Sequence, residues 1–405
     1  MPAYSGKFQY TGEKGENLGQ GPCEVNFDRE KCIVAPAGGV PLAFDLGDVD
    51  RTDPGDWDLR LTLYTGGTVL LKQFGAAFSN MAGELLAAWR DRTVQCLLLE
   101  DLEELGRYAG TANGAPGEIR IYKSNVAFLP QAGLPMQWRL AEVESIVFDP
   151  SAYTIALARG GERLVLSKLA KKTDEVLGRL QQAMGALRQH AAAALHDVFP
   201  FLSADQLVQL QTAMPEGSSA SLEVLNRIHP KLGEALIARA VDEPLQPYFA
   251  ALRARAGGEP LLAGFKFLRA DEEEEGAEAP PAAEEKEKDE APLFFWFFFP
   301  LPRDIAAWES TTGTGRATYF FRAPAPAGKS VETLTRGLSL VNFRREPVYL
   351  PDASLDLQPR FHRYAIGARK LPGLRTLRAA YLGRAIHSSP EEWQAQVDAL
   401  LAGPA

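Results

Sequence analysis

The sequence predicts an α+β protein: two tandem β-sandwich or barrel domains, each closed by a C-terminal helix, then a helical connector and a C-terminal α+β domain. Three observations carry this. Residues 24–86 recur without a gap at 118–180, with twelve of sixty-three positions identical. The identities fall on turn-formers and apolar positions, such as Pro36 with Pro130, Gly66 with Gly160 and Leu46 with Leu140, where a shared backbone constrains residue choice. Within each copy, alternating hydrophobicity changes once to a helical spacing, at the C-terminal end.

In the first copy, Phe8 to Tyr10 reads as a strand and residues 13–20 as a polar loop. Residues 23–27 and 31–35 form a hairpin about Asp28-Arg29, and Leu59, Leu61 and Leu63 alternate with Arg60 and Thr62 as in a half-buried strand. Gly66-Gly67 supplies the positive φ of a tight hairpin. Met81, Leu85, Leu86 and Trp89 then have helical spacing. The second copy repeats the plan, with residues 111–117 as its first loop and Gly160-Gly161 as its later turn. Thr173 caps a helix that carries Val176, Leu180 and Met184 inward.

The unit resembles the pleckstrin-homology-like superfold, particularly its GRAM-type variant, over roughly residues 6–190. The residues that carry the resemblance are the hairpin before Pro36 or Pro130, the stretch from Leu42 to Val49 with its counterpart from Met136 to Val143, and the alternating strand that ends in Gly-Gly. The resemblance implies a binding module rather than an enzyme, and the superfold hosts lipid, peptide and protein binders alike. Phosphoinositide-binding members place lysines and arginines beside the first hairpin loop. Here residues 13–20 hold one lysine between two glutamates and residues 111–117 hold no base, so a lipid-phosphate cradle is not expected there.

Domain limits follow as 1–104, 105–195, a connector at 196–257 and a last domain at 258–405. In the connector, Ser203 and Gln206 form a capping box, a helix ends at His229-Pro230, and Gly257-Gly258 marks a hinge. In the last domain, residues 293–299 (Leu-Phe-Phe-Trp-Phe-Phe-Phe) read as a central strand buried on both faces. A hairpin turns about Gly313-Thr-Gly315, helices are expected over 331–341 and 371–386, residues 347–351 are extended, and Ser389 caps the last helix.

Charge is unevenly distributed. Residues 271–290 hold eleven acidic side chains and two lysines, which is the whole net charge of −9, and read as a disordered insertion. No acidic residue occurs from 357 to 389, where Arg360, Arg363, Arg369, Lys370, Arg375, Arg378 and Arg384 are the candidate surface for an anion or a protein partner. The acidic insertion folding over this basic set is the expected means of screening it. A protein partner is expected first, and an anionic membrane lipid is the alternative. Nucleic acid is not expected, because aromatics do not interleave with the bases as in a single-strand platform.

No catalytic residue, cofactor or metal site is expected. The five histidines have no ligand spacing and read as surface or helix-end residues, and there is no nucleophile elbow or phosphate loop. An unrecognised enzyme in the C-terminal domain is the third alternative. Three cysteines without a C-x-x-C pair favour a reducing compartment, and no apolar run reaches the length of a membrane span, so a cytoplasmic protein is expected.

Overall fold

The computed structural model describes residues 3–99, 103–131, 134–267, 293–310 and 317–402. The acidic segment 271–290 and the turn at 313–315 lie outside the described residues. The chain forms two compact units, Met1–Ala183 with Leu350–Pro372, and Met184–Tyr349 with Gly373–Ala405.

The first unit holds two modules of one topology. In the first, strands β1 (Ala3–Thr11), β2 (Asn17–Phe27), β3 (Lys31–Pro36), β4 (Leu42–Asp45), β5 (Val49–Pro54), β6 (Asp58–Leu63) and β7 (Thr68–Lys72) precede helix α1 (Phe78–Cys96). They form one antiparallel sheet in the order β4-β3-β2-β1-β7-β6-β5. In the second, β8 (Glu104–Ala112), β9 (Ala115–Tyr122), β10 (Asn125–Pro130), β11 (Met136–Arg139), β12 (Ser145–Asp149), β13 (Thr154–Arg159) and β14 (Glu162–Ser167) precede α2 (Thr173–Val198), in the order β11-β10-β9-β8-β14-β13-β12. Each module is thus seven antiparallel strands followed by a closing helix, the α+β plan expected from the sequence. The core of the first module joins Val25, Val34, Leu61 and Leu71 to Met81 and Leu85 of α1, one apolar face of the sheet against one stripe of the helix.

The gapless repeat needs correction. The offset of 94 holds through Val49 and Val143, but Leu61 pairs with Val69 where Leu157 pairs with Leu164. The turn after β12 is therefore two residues longer than the turn after β5, and the turn after β13 one residue shorter than the turn after β6. The first hairpins are also tighter than expected. β2 starts at Asn17, and β8 and β9 meet across Asn113-Gly114, both with positive φ. Asn-Gly is the residue pair such a two-residue turn favours.

A feature shared by both modules was not read from sequence. Tyr4 donates its hydroxyl to Glu84 at 2.9 Å and accepts from Asn80, while Tyr108 donates to Glu175 at 3.0 Å. Each joins the first strand to the first turns of the closing helix, although the two tyrosines are 104 residues apart rather than 94.

The second unit is built on one antiparallel sheet. After the second half of α2 come α3 (Ala204–Ala213), β15 (Ser219–Ser221), α4 (Leu222–Ile228), α5 (Leu232–Ala240), α6 (Gln246–Ala256), β16 (Leu262–Phe267), β17 (Leu293–Leu301), β18 (Ile305–Ser310) and β19 (Ala317–Arg322). Then follow α7 (Ala327–Leu340), α8 (Glu346–Tyr349), α9 (Asp352–Leu357), α10 (Pro359–Lys370), α11 (Pro372–Ala380), β20 (Tyr381–Ile386) and α12 (Pro390–Ala402). The sheet order is β15-β16-β17-β18-β19-β20. β17 lies between β16 and β18 and is almost wholly buried, as its unbroken apolar run requires. Helices α3 to α6, expected as a connector, share a core with this sheet, where Leu210, Leu225, Leu236 and Leu252 pack with Phe265, Phe297 and Trp393. Ser203 and Gln206 form the reciprocal capping box, and α6 ends on Gly257 at φ 62°.

Two local expectations fail. Residues 347–349 are helical rather than extended, because Val348 and Tyr349 donate their N–H groups back to the Arg345 carbonyl and close a turn. The helix expected over 371–386 stops at Ala380. Tyr381 to Ile386 pairs with β19 instead, and Gly383 takes the place opposite Phe320 where a side chain would meet Leu400. Among the described residues, no helix is long and apolar enough to cross a membrane.

Candidate interaction surfaces

The outermost strands β5 and β12 occupy equivalent places in their sheets, and they differ in chemistry. Pairing with the inner strand aligns Thr52, Asp53 and Pro54 of β5 with Ile146, Val147 and Phe148 of β12. The β5 edge carries the means that discourage strand addition: a bulge between Val49 and Arg51, an Arg51–Asp53 ion pair at 2.7 Å, and a terminal proline. The β12 edge has none of these over Ile146 to Phe148. Val147 is 56% exposed, and Tyr153, in the longer turn, is 61% exposed and meets Phe148 edge-on at 6.0 Å. Among the described residues no strand flanks the outer side of β12.

The start of β5 is also occupied from within the unit. Helix α10 brings Lys370 Nζ to the Val49 carbonyl at 2.9 Å and to Asp50 at 3.2 Å, and Arg369 to Asp48 at 2.8 Å and Asp356 at 3.0 Å. Beneath it, Arg92 of α1 grips Asp45 with two bonds, at 2.9 and 2.7 Å, both side chains being under a tenth exposed. His362 Nε2 lies 3.6 Å from the same carboxylate. Close approach is possible because Gly47 and Gly367 face this seam: a Cβ on Gly47 would stand 2.9 Å from Cys96 Sγ and from Ile366. Burial raises the Asp48 carboxyl above its ordinary value, and the Arg369 charge opposes that shift.

The seven basic residues singled out in the sequence therefore do not share one environment. Arg360, Arg363, Arg369 and Lys370 belong to the first unit, and Arg375, Arg378 and Arg384 to the second. Lys370 is 2% exposed and, with Arg369, fastens α10 to the first module. Arg360 is exposed and lies 4.5 Å over the Phe361 ring, and Arg363 donates to the Tyr364 hydroxyl at 3.2 Å. In the second unit Arg375 is exposed, Arg378 donates to the Pro347 carbonyl, and Arg384 lies 4.0 Å over the Tyr349 ring. Their density in sequence gave no hint of this division, since the contacts that use Arg369 and Lys370 span some 320 residues.

One histidine departs from the surface reading. The His387 side chain is 1% exposed, stacks on Tyr248 at 4.1 Å and approaches Thr318 at 3.0 Å and Glu309 at 3.4 Å. Thr318 donates to Glu309 and accepts from Trp393, so its hydroxyl is satisfied inside the aromatic core, whereas among the described residues His387 Nδ1 has no hydrogen-bond partner. The cysteines Cys23, Cys32 and Cys96 are free and buried.

No protein-family model and no curated protein matches the chain. Solved structures do: 43 chains match it. One is the pleckstrin homology (PH) domain of USP37, at 18% identity over 22% of this chain and 98% of that one, with a TM-score of 0.18. Another is the Spt16D Pob3N heterodimer, at 14% identity over 39% of this chain and 83% of that one, also with a TM-score of 0.18.

Proposed function

We propose that the chain is a non-enzymatic protein-interaction protein, a scaffold that docks an extended segment of a protein partner along β12. The observation that carries this is the contrast between two equivalent edges, one guarded by a bulge, charges and proline, the other apolar over Ile146 to Phe148. An edge strand offers a row of N–H and C=O groups that a partner strand can complete, and alternate side chains then give specificity. Three free buried cysteines support a reducing compartment such as the cytoplasm.

The test is affinity capture of the full-length protein from its own lysate at moderate salt, with protein and lipid in the eluate both identified. Val147→Lys puts a charge on the exposed edge and costs at most about 0.5 kcal/mol of stability. Arg51→Val on β5 is the matched control. One protein recovered in near-equal amount by the wild type and by Arg51→Val, and lost with Val147→Lys, supports edge docking. Recovery that Val147→Lys leaves unchanged overturns it, and anionic lipid without a stoichiometric protein turns the assignment to membrane binding.

A further inference from the structure

In the second unit, β19 and β20 set Tyr319 and Arg384 opposite one another across the strands. Tyr349 of α8 lies beside them, its ring stacked on that of Tyr319 at 6.5 Å and beneath the Arg384 guanidinium at 4.0 Å. Burial lowers the Arg384 guanidinium and hydrogen bonding to the Tyr349 and Tyr319 phenols raises it, leaving it above its ordinary value. A guanidinium can only donate, so each phenol is an acceptor in that bond and its own O–H remains to be used. Among the described residues neither phenol O–H has an acceptor and no carboxylate pairs with Arg384. Arg369, by contrast, has two carboxylates. Burial raises the Tyr319 phenol, so it stays a protonated donor at neutral pH.

We propose that Arg384, Tyr319 and Tyr349 form a binding site for the phosphate group of a phosphate monoester. The site is a set of donors from three elements around the Arg384 charge, with Arg345 also acting on the buried Tyr319 and Arg384 itself exposed and within reach of solvent. A guanidinium has more N–H groups than two phenols accept, and the remainder present a fork to an oxyanion. A tetrahedral phosphate offers oxygens in several directions and can meet that fork and the phenol protons together. A planar carboxylate offers two oxygens in one plane and leaves donors unmet. Stacking on Tyr349 and the two phenol bonds hold the guanidinium in place before the ligand arrives, which lowers the ordering cost of binding.

The full-length protein is titrated with inorganic phosphate by calorimetry at low ionic strength. Saturable binding at one site is expected, weakened about tenfold or more by Arg384→Gln and severalfold by Tyr349→Phe, which removes one donor and keeps the stacked ring. Arg375→Gln removes an exposed arginine of the same unit without these partners and leaves the affinity unchanged. Phenyl phosphate and phosphatidic-acid vesicles, run in parallel, distinguish a soluble monoester from a lipid headgroup, and Arg384-dependent binding of either supports the site. Absence of saturable binding to all three overturns it. So does equal weakening by Arg384→Gln and Arg375→Gln, which means diffuse charge only.

Discussion

Replacing Arg92 by methionine tests whether the seam between α1 and the end of β4 is held by a buried charge pair. The substitution keeps most of the aliphatic stem and removes both bonds to Asp45, at 2.9 and 2.7 Å. Asp45 then keeps the Gly47 N–H at 2.7 Å and His362 at 3.6 Å, too little for a carboxylate only 8% exposed. Taking one partner from a buried pair costs about 3–5 kcal/mol, because the remaining charge stays out of water. At a factor of ten for each 1.4 kcal/mol, amide hydrogens of α1 and β4 that exchange by opening this seam should exchange about 100- to 5,000-fold faster. Hydrogen exchange resolved by peptide in the full-length protein reads this locally, which a single melting curve of a two-unit chain does not. Adding Asp45→Asn removes the stranded charge and keeps a side-chain oxygen for the Gly47 N–H, so the double variant should regain about 1 kcal/mol or more over Arg92→Met alone. An acceleration below tenfold, or a second substitution that simply adds its own cost, refutes the charge-pair account.

Other consequences are equally direct. Gly367→Val brings a branched side chain whose Cβ would stand 2.9 Å from Leu98 and 3.3 Å from the Cys96 carbonyl; it should loosen α10 by about 1–3 kcal/mol, seen as faster proteolysis within residues 350–372. Tyr108→Phe removes the bond to Glu175 and should cost the second module about 1 kcal/mol, measured by exchange of β8 amides. Burial pushes the Cys23 thiol to about 11 and Cys32 and Cys96 to about 12, so an aromatic disulfide reagent at mildly alkaline pH should label none of them in the native protein and all of them in urea. The N–H groups of Lys31 and Glu30 hold the Asp28 carboxyl below its ordinary 3.8. Its contribution to stability is therefore present above that value and lost as the pH falls through the folded one, and Asp28→Asn should flatten the acid limb of hairpin β2–β3 exchange.

Much of this architecture is legible wherever the determining contacts are local. The run at Leu293 to Phe299 has no polar residue to turn outward, and its burial between two strands follows. Ser203 and Gln206 cap one another over three residues, and Gly257 takes the left-handed conformation that stops α6. What sequence spacing conceals is of two kinds. Length changes in turns hide equivalence, so that Tyr4 and Tyr108, or Leu61 and Leu157, fall out of register although they hold the same places. Long-range pairing reassigns side chains, so Arg369 and Lys370 read as a solvent-facing set until Asp48, Asp50 and Val49 are found beside them. Period alone also misled at Tyr381, three and four residues on from Arg378 and Leu377, where helical spacing continues into a strand.

The docking of α10 on the first module has a consequence in time. The strands and helix of that module are complete at Cys96, but Lys370, which takes the Val49 carbonyl, is made about 270 residues later. At roughly 5–20 residues per second of synthesis, the seam of Gly47, Asp45 and Cys96 waits on the order of 10–60 s for its own helix. A nascent chain thus presents a vacancy that the finished protein has filled, and that interval is when a chaperone, or the α10 of a neighbouring chain on the same messenger, has its opportunity.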